Sequence, residues 1–405
     1  MFQLFKMAYR NLNRNRRRSI LSALAVSFGL ALLLFMAGMV YGEMQGAMQT
    51  NIALQSGHLQ VRATSYVEEK SSLKWEDLVA NPNDMAAQIK KLPQVTDATP
   101  RLFASGIINT SSEAIGVQLY GIDPAAPANA PIAQGMISGS FITPDDQNGI
   151  LIGQSLAQKL GVKVGDQMDL SANTANGDVN EQNFFVRGIF STHTPAYDQS
   201  TIFMPLTKAQ AFTATQNHAS TIFIMLNNRD LSNSVAAALT SPGYQVLTWQ
   251  KMNDLVLQTE QLANSYMVIF YLIVLAITST VIVNTLIMAV YERTREIGIL
   301  AAIGMKGRYI MSLFLAEAGI LAIVGIAIGL VLGGLICAYF TRFGFYIGNI
   351  GTNYAFLLGS RIYAQLTLSD SINLTILTLI VTLIASLYPA ILAAQLEPVE
   401  ALHGK

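Results

Sequence analysis

The stretch ERTREIGILAAIGMKGR, Glu292 to Arg308, decides how this chain is read. It is a compact, charged, glycine-punctuated segment set between two long uncharged runs. Its charge density is wrong for lipid, and it is too short to be a domain. Ile297, Leu300, Ala301 and Gly304 fall at i, i+3, i+4 and i+7, one helical face. Arg293, Arg295 and Glu296 lie largely off that face, and Gly304 and Gly307 flank Lys306 where a helix would end. On pattern alone, a short helix at a membrane surface and an ordinary solvated loop fit equally well.

The surroundings favour a membrane. Of 405 residues, 52% are hydrophobic and 12% charged, about half the charged share of soluble proteins. The formal net charge of zero argues against a strongly basic nucleic-acid binder. Four runs are long enough to cross a bilayer, which takes about 20 apolar residues. Ser19–Gly42, Gln261–Tyr291 and Ser371–Leu396 are uncharged, while Tyr309–Thr341 holds one acid, Glu317. The first run exceeds the hydrophobic stretch of a secretion signal and is read as a retained span. Basic residues cluster before it (Lys6, Arg10, Arg14, Arg16, Arg17, Arg18) and between the second and third spans (Arg293, Arg295, Lys306, Arg308). Both termini and the 292–308 loop are therefore expected on the cytoplasmic side.

The expected organisation follows: an amphipathic cytoplasmic helix over 1–18, span one over 19–42, and an extracytoplasmic α+β domain over 43–260. Then come span two (261–291), the loop 292–308, span three (309–341), an outer loop (342–370), span four (371–396) and a cytoplasmic tail (397–405). The 43–260 segment is acidic by seven charges, as suits a solvated surface. Strand-like runs recur in it at 57–63, 95–110, 114–122, 183–190, 220–228 and 244–249. Helical patterns lie at 81–92, 154–161, 206–212 and 230–239, and turns at 161–166 and 173–178. Met44, Met48 and Ile52 continue the first span's helical period. Met252, Leu255, Val256, Thr259, Leu262, Ala263 and Tyr266 anticipate the second.

No motif for catalysis stands out. The chain lacks GxxxxGK[ST], HExxH and GxSxG. His58, His193, His218 and His403 are isolated, and the one cysteine, Cys337, lies in an apolar run. Glu317 is expected to bond a neighbouring helix, or Arg308 or Lys306, rather than to carry a proton or substrate. Gly325, Gly329 and Gly333 form a small-residue stripe for close packing, against either the fourth span or a second protomer.

ERTREIGILAAIGMKGRYI followed by FLAEAGILAIVGIAIGLVLGG resembles the core of the MacB/FtsX-like family of ABC-transporter permeases (the type VII ABC fold). AYRNLNRNRRRSILSALAVSFGLALLLF (8–35), SLYPAILAAQLEPVEALHGK (386–405), and YGIDP, GSFITPDDQNGILIGQSLAQKLGVKVGD and FFVRGIF in that order extend the resemblance over essentially the whole chain. The resemblance implies an α-helical membrane protein with four transmembrane helices and a two-lobed α+β extracytoplasmic domain. Its inserted lobe falls at about 132–205, the rest making a βαβ-like lobe. It implies a bacterial inner-membrane permease, not itself an enzyme, that works with two copies of a separate ATPase and a second permease, identical or homologous. ATP and Mg are expected in that partner and no cofactor in this chain. The coupling element maps onto Glu292, Arg293, Arg295, Glu296, Ile297, Leu300, Gly304, Lys306 and Arg308. The separate ATPase and the long outer loop 341–370 lean toward the lipoprotein-release branch over macrolide or peptide efflux. For a lipid-anchored, peptide or hydrophobic cargo, Phe35, Met36, Met39, Val40, Met267, Phe270 and Tyr271 are candidate pocket residues. The alternative is a mechanotransmitting regulator of an extracytoplasmic partner such as a cell-wall hydrolase.

Overall fold

The structure, a computed structural model, describes residues 2–67, 73–109, 114–348 and 359–396. The expected tail, 397–405, and the middle of the expected outer loop lie outside the described residues. The chain divides into two compact units. One comprises residues up to Glu43, Glu260–Phe345 and those from Ile362 onward; the other is Met44–Thr259 with Tyr346–Arg361.

In the first unit, α1 (Phe2–Arg14) is strongly amphipathic, and α2 (Arg16–Asn51) follows after a break at Asn15. Helices α10 (Asp254–Glu292), α12 (Gly307–Phe343) and α13 (Leu368–Ala394) complete the long elements, with the short α11 (Thr294–Ala302) between α10 and α12. Among the described residues, α2, α10, α12 and α13 are the helices long and apolar enough to cross a membrane. Helix α13 starts where Thr367 Oγ1 accepts from the Asp370 backbone N–H at 3.0 Å, satisfying a free helix-end donor.

Each glycine of the expected stripe meets α2, not the fourth span. A Cβ on Gly325 would lie 2.7 Å from Val26, on Gly329 2.9 Å from the Ser27 carbonyl, and on Gly333 2.9 Å from Leu34. Backbone contact at that range is possible only without side chains. Two further glycines act alike on α2. Gln365 donates its backbone N–H to the Gly38 carbonyl at 2.8 Å, and a Cβ on Gly42 would strike the Tyr363 carbonyl.

The second unit is built on one ten-stranded sheet. Its strands are β1 (Leu59–Ala63), β3 (Val95–Asn109), β4 (Ala114–Ile122), β5 (Met136–Gly139), β6 (Gly149–Gly153), β7 (Gln167–Asn173), β8 (Val179–Phe190), β9 (Thr201–Pro205), β11 (Thr221–Leu226) and β12 (Tyr244–Thr248). Strands β2 (Val79–Ala80) and β10 (His218–Ala219) pair separately. The order is β12-β1-β11-β3-β4-β9-β6-β8-β5, with β7 against β3 and β8. Strands β12, β1, β11 and β3 pair antiparallel, joined by α3 (Pro82–Ile89) and α8 (Ser232–Leu239) in two split βαβ units. Ala86, Ile89 and Val235 of those helices close a core over Leu59, Val61, Ala98, Ile222 and Ile224.

The excursion between β3 and β11 holds β4 to β10 and so contains the 132–205 segment. Its strands enclose a second core with α5 (Gln154–Leu160) and α7 (Leu206–Phe212). Three short helices, α4 (Ala130–Gln134), α6 (Pro195–Ser200) and α9 (Trp249–Met252), complete the set.

The expected second stalk is interrupted. Met252 ends α9, Asn253 breaks the helix, and α10 begins at Asp254. Of the residues expected on its inner face, Val256 is buried with Met48 and Ile52, but Leu255, Leu262 and Tyr266 are exposed. The first stalk ends in a π-helical turn, Ile52–Ser56, closed by Gly57 at φ 63°.

Candidate functional site

The site is the junction of α1, α11 and α12. Helix α10 stops at Glu292, and Arg293 takes φ −113°, ψ 14°, which turns the chain into α11. That turn aims the Arg293 side chain inward. Its guanidinium donates Nη1 to Glu317 Oε1 at 3.0 Å and Nη2 to the Asn11 carbonyl at 3.0 Å. Asn11 Nδ2 donates to the same Glu317 oxygen at 2.7 Å. The side chains of Arg293 and Glu317 are 5% and 2% exposed. The Asn11 carbonyl is available because it belongs to the last turn of α1, where carbonyls have no partner in their own helix.

A second, exposed layer joins the same elements. Arg14 Nη2 donates to both oxygens of Glu296, at 2.7 and 2.9 Å. Arg18 Nη1 reaches Glu292 at 2.6 Å, with Asn15 Nδ2 beside it at 3.3 Å. The segment from the end of α1 to the start of α2 is thus clamped to both ends of the loop's opening turn.

Of the expected partners of Glu317, the neighbouring helix is the one found, through Asn11 of α1. Its ion pair is with Arg293, not with Arg308 or Lys306; the Arg308 guanidinium lies over Tyr309 at 5.1 Å. And Arg293, expected largely off the buried face, is itself buried. The expected face is the inward one: Ile297 packs with Ile310, Phe314, Ala390 and Ala393, with Ala301 against them. Leu300 is half-buried, and Gly304, at φ 97°, ends the helix exposed. What α11 presents outward is Arg295, Ile299 and Ile303, spaced i, i+4, i+8, with Ile303 80% exposed. Lys306 and Arg308 are exposed beside it.

Asn11, Ile299, Ile303, Gly38 and Gly42 join the expected residues here. The spacing of Gly38 and Gly42 was a usable signal; Asn11 had none.

The candidate pocket residues fall on α2 and α10. Phe35 stacks on Phe340 of α12 at 5.2 Å between centroids, and Met267 is buried. Phe270 and Tyr271 pack against the apolar core around Val274 and Leu34. Met36, Met39 and Val40 are half-buried. No group of three or more His, Cys, Asp or Glu side chains among the described residues could hold a metal.

Helices of membrane-spanning length and a mixed α/β domain, with a short charged helix locked to an N-terminal one, are the framework of a membrane protein. The chain belongs to the family of the MacB-like periplasmic core domain, which matches residues 19–241, and the FtsX-like permease C-terminal domain matches 268–398. It is a permease component of the ABC-transporter class and carries a periplasmic-type domain.

It is 23% identical to the lipoprotein-releasing system transmembrane protein LolE of Haemophilus influenzae, over 95% of this chain and 93% of that protein. Identity to LolC of Neisseria meningitidis is also 23%, over 76% and 77%. The macrolide export ATP-binding/permease protein MacB of a Shewanella strain is 24% identical over 99% of this chain but 60% of its own length.

Proposed function

We propose that this chain is the permease subunit of an ABC exporter or extractor driven by a separate ATPase, which docks on the outward face of α11. One observation carries this reading. A helix of nine residues is anchored at its start by the buried Arg293–Glu317 pair to α12 and by the exposed Arg14–Glu296 pair to α1, with Arg18 holding Glu292 at the end of α10, yet it leaves Ile299 and Ile303 uncovered. Rigid backing and an exposed apolar face are what a force-bearing contact needs, because a loose helix would absorb the motion it receives.

In this reading two permeases work with two ATPases, the termini and α11 are cytoplasmic, and ATP and Mg bind only the partner. Motor closure moves α11 and α12 as a unit and, through α2 and α10, works the periplasmic domain on its cargo. A lipid-anchored or hydrophobic cargo fits the relatives of lipoprotein-releasing type best, with Met39, Met267 and Phe270 as its candidate contacts. The regulatory alternative is less well supported, since the relatives named above are release and export components.

The test is purification of the chain from native membranes with quantitative mass spectrometry. A stoichiometric protein with a phosphate loop is expected with the wild type and lost with Ile303→Asp. A folded chain without such a partner would overturn the reading.

A further inference from the structure

Where α1 turns into α2, a cleft of about 230 Å³ opens against α12. Its walls are apolar, chiefly Leu12, Ile20, Leu321 and Val324, and its rim carries Asn13 and Arg16. The rim is built. Arg16 Nε donates to Asn13 Oδ1 at 2.8 Å and to the Asn13 carbonyl at 3.3 Å, which fixes the guanidinium at the rim. Its two Nη groups have no partner among the described residues.

Charge defines the ligand's head. Residues 1–42 contain no acid, and Arg14 and Arg18 are already paired with Glu296 and Glu292. Arg10, Arg16 and Arg17 make no ion pair among the described residues, so the rim is positive. Depth defines its tail. The seven steps along α2 from Arg16 at the rim to Ala23 in the wall span about 10 Å of helix rise, all of it beyond Arg18 uncharged. An engineered apolar cavity of about 150 Å³ accepts benzene; this one has room for a flexible chain but not for a helix about 10 Å across.

We propose that this cleft binds an anionic glycerophospholipid, one acyl chain lying between Ile20 and Leu321 and the phosphate held by Arg16. Such a lipid bridges α1, α2 and α12 within a turn of the Asn11–Glu317 bond, and so stiffens the junction that backs α11. The inference rests on α2 and α12 being membrane spans, and its test reads lipid binding, not transport.

The experiment is native mass spectrometry of the full chain in mild detergent. It is titrated with phosphatidylglycerol or phosphatidylcholine of identical acyl chains. The wild type is expected to retain one phosphatidylglycerol about five-fold better than phosphatidylcholine, the preference of roughly one basic side chain near a headgroup. Arg16→Gln should abolish that preference, and Leu321→Trp, which fills the cleft, should lose both lipids; Val324→Trp repeats the test should the first filler fail to fold. Equal retention of the two lipids by the wild type, a preference that survives Arg16→Gln, or undiminished retention in a folded filler variant would overturn the proposal.

Discussion

Arg293 in the membrane unit and Arg101 in the periplasmic-type unit are both buried, yet they are held in opposite ways. Arg293 has a carboxylate, Glu317, at 3.0 Å. Arg101, 0% exposed, has no carboxylate within ion-pair reach among the described residues. It donates Nη1 to the Leu54 carbonyl and Nη2 to Asn129 Oδ1, both at 2.7 Å, and its guanidinium lies 3.5 Å from the Phe223 ring centre. Burial pulls its pKa down to about 10, which still leaves it charged at neutral pH. The difference is one of available acceptors. In a bundle of spanning helices nearly every carbonyl is used within its helix, so a cation needs a counter-charge or a helix end. At the π-turn after α2 a carbonyl comes free, and with an amide and an aromatic face it holds a cation without an acid.

Removing Glu317 should have the largest effect, because it strands Arg293. Glu317→Ala should cost about 3–5 kcal/mol and release the ATPase. Arg293→Met with Glu317→Leu should recover most of the stability, read as the thermal midpoint in detergent. Equal losses in the single and double variants would mean that the pair is not coupled.

Arg101→Met keeps the bulk but leaves two acceptors unserved, for about 2 kcal/mol. Arg101→Lys, which lacks the planar fork, should fall between it and wild type. A methionine variant as stable as wild type would remove the acceptor argument.

A smaller effect, also in the periplasmic-type unit, depends on pH. His58 Nδ1 accepts from the Leu226 backbone N–H at 2.9 Å, and burial with nearby Arg229 lowers its pKa from the usual 6.5. The folded state therefore disfavours the proton. Stability contributed here is present above 6.5 and falls as pH drops through the lowered value. Hydrogen-exchange protection across β1 and β11, corrected for the intrinsic pH dependence of exchange, should fall as pH drops below 6.5 in the wild type and stay flat in His58→Gln. Identical pH profiles would rule the histidine out. Smallest of all, Arg14→Ala should change stability by about 0.5 kcal/mol or less, since its pair with Glu296 is 54% and 53% exposed. A larger loss would place the exposed clamp on a par with the buried one.

Much of the fold could be read from sequence where a period was visible. The alternating run 114–122 is β4, and QSLAQKL is α5. GILIG, 149–153, is not recognisable by alternation, because all five residues of β6 are buried. Arg101 was hidden for a similar reason, in a stretch of β3 buried on both faces. At the site, the lone acid Glu317 announced a partner. The partner's identity depended on the helix break at Arg293, which a continuous helical period does not reveal. The same break turns Ile297 inward and Ile299 and Ile303 out, so the i, i+3, i+4, i+7 face is the packed one.

The most direct test places a photo-crosslinking residue at Ile303 and, as an inward-facing control, at Ile297, in cells at native expression. The account predicts an adduct with a phosphate-loop ATPase from position 303 and none from 297. An adduct from 297, or none from 303 in a folded complex that hydrolyses ATP, would contradict it.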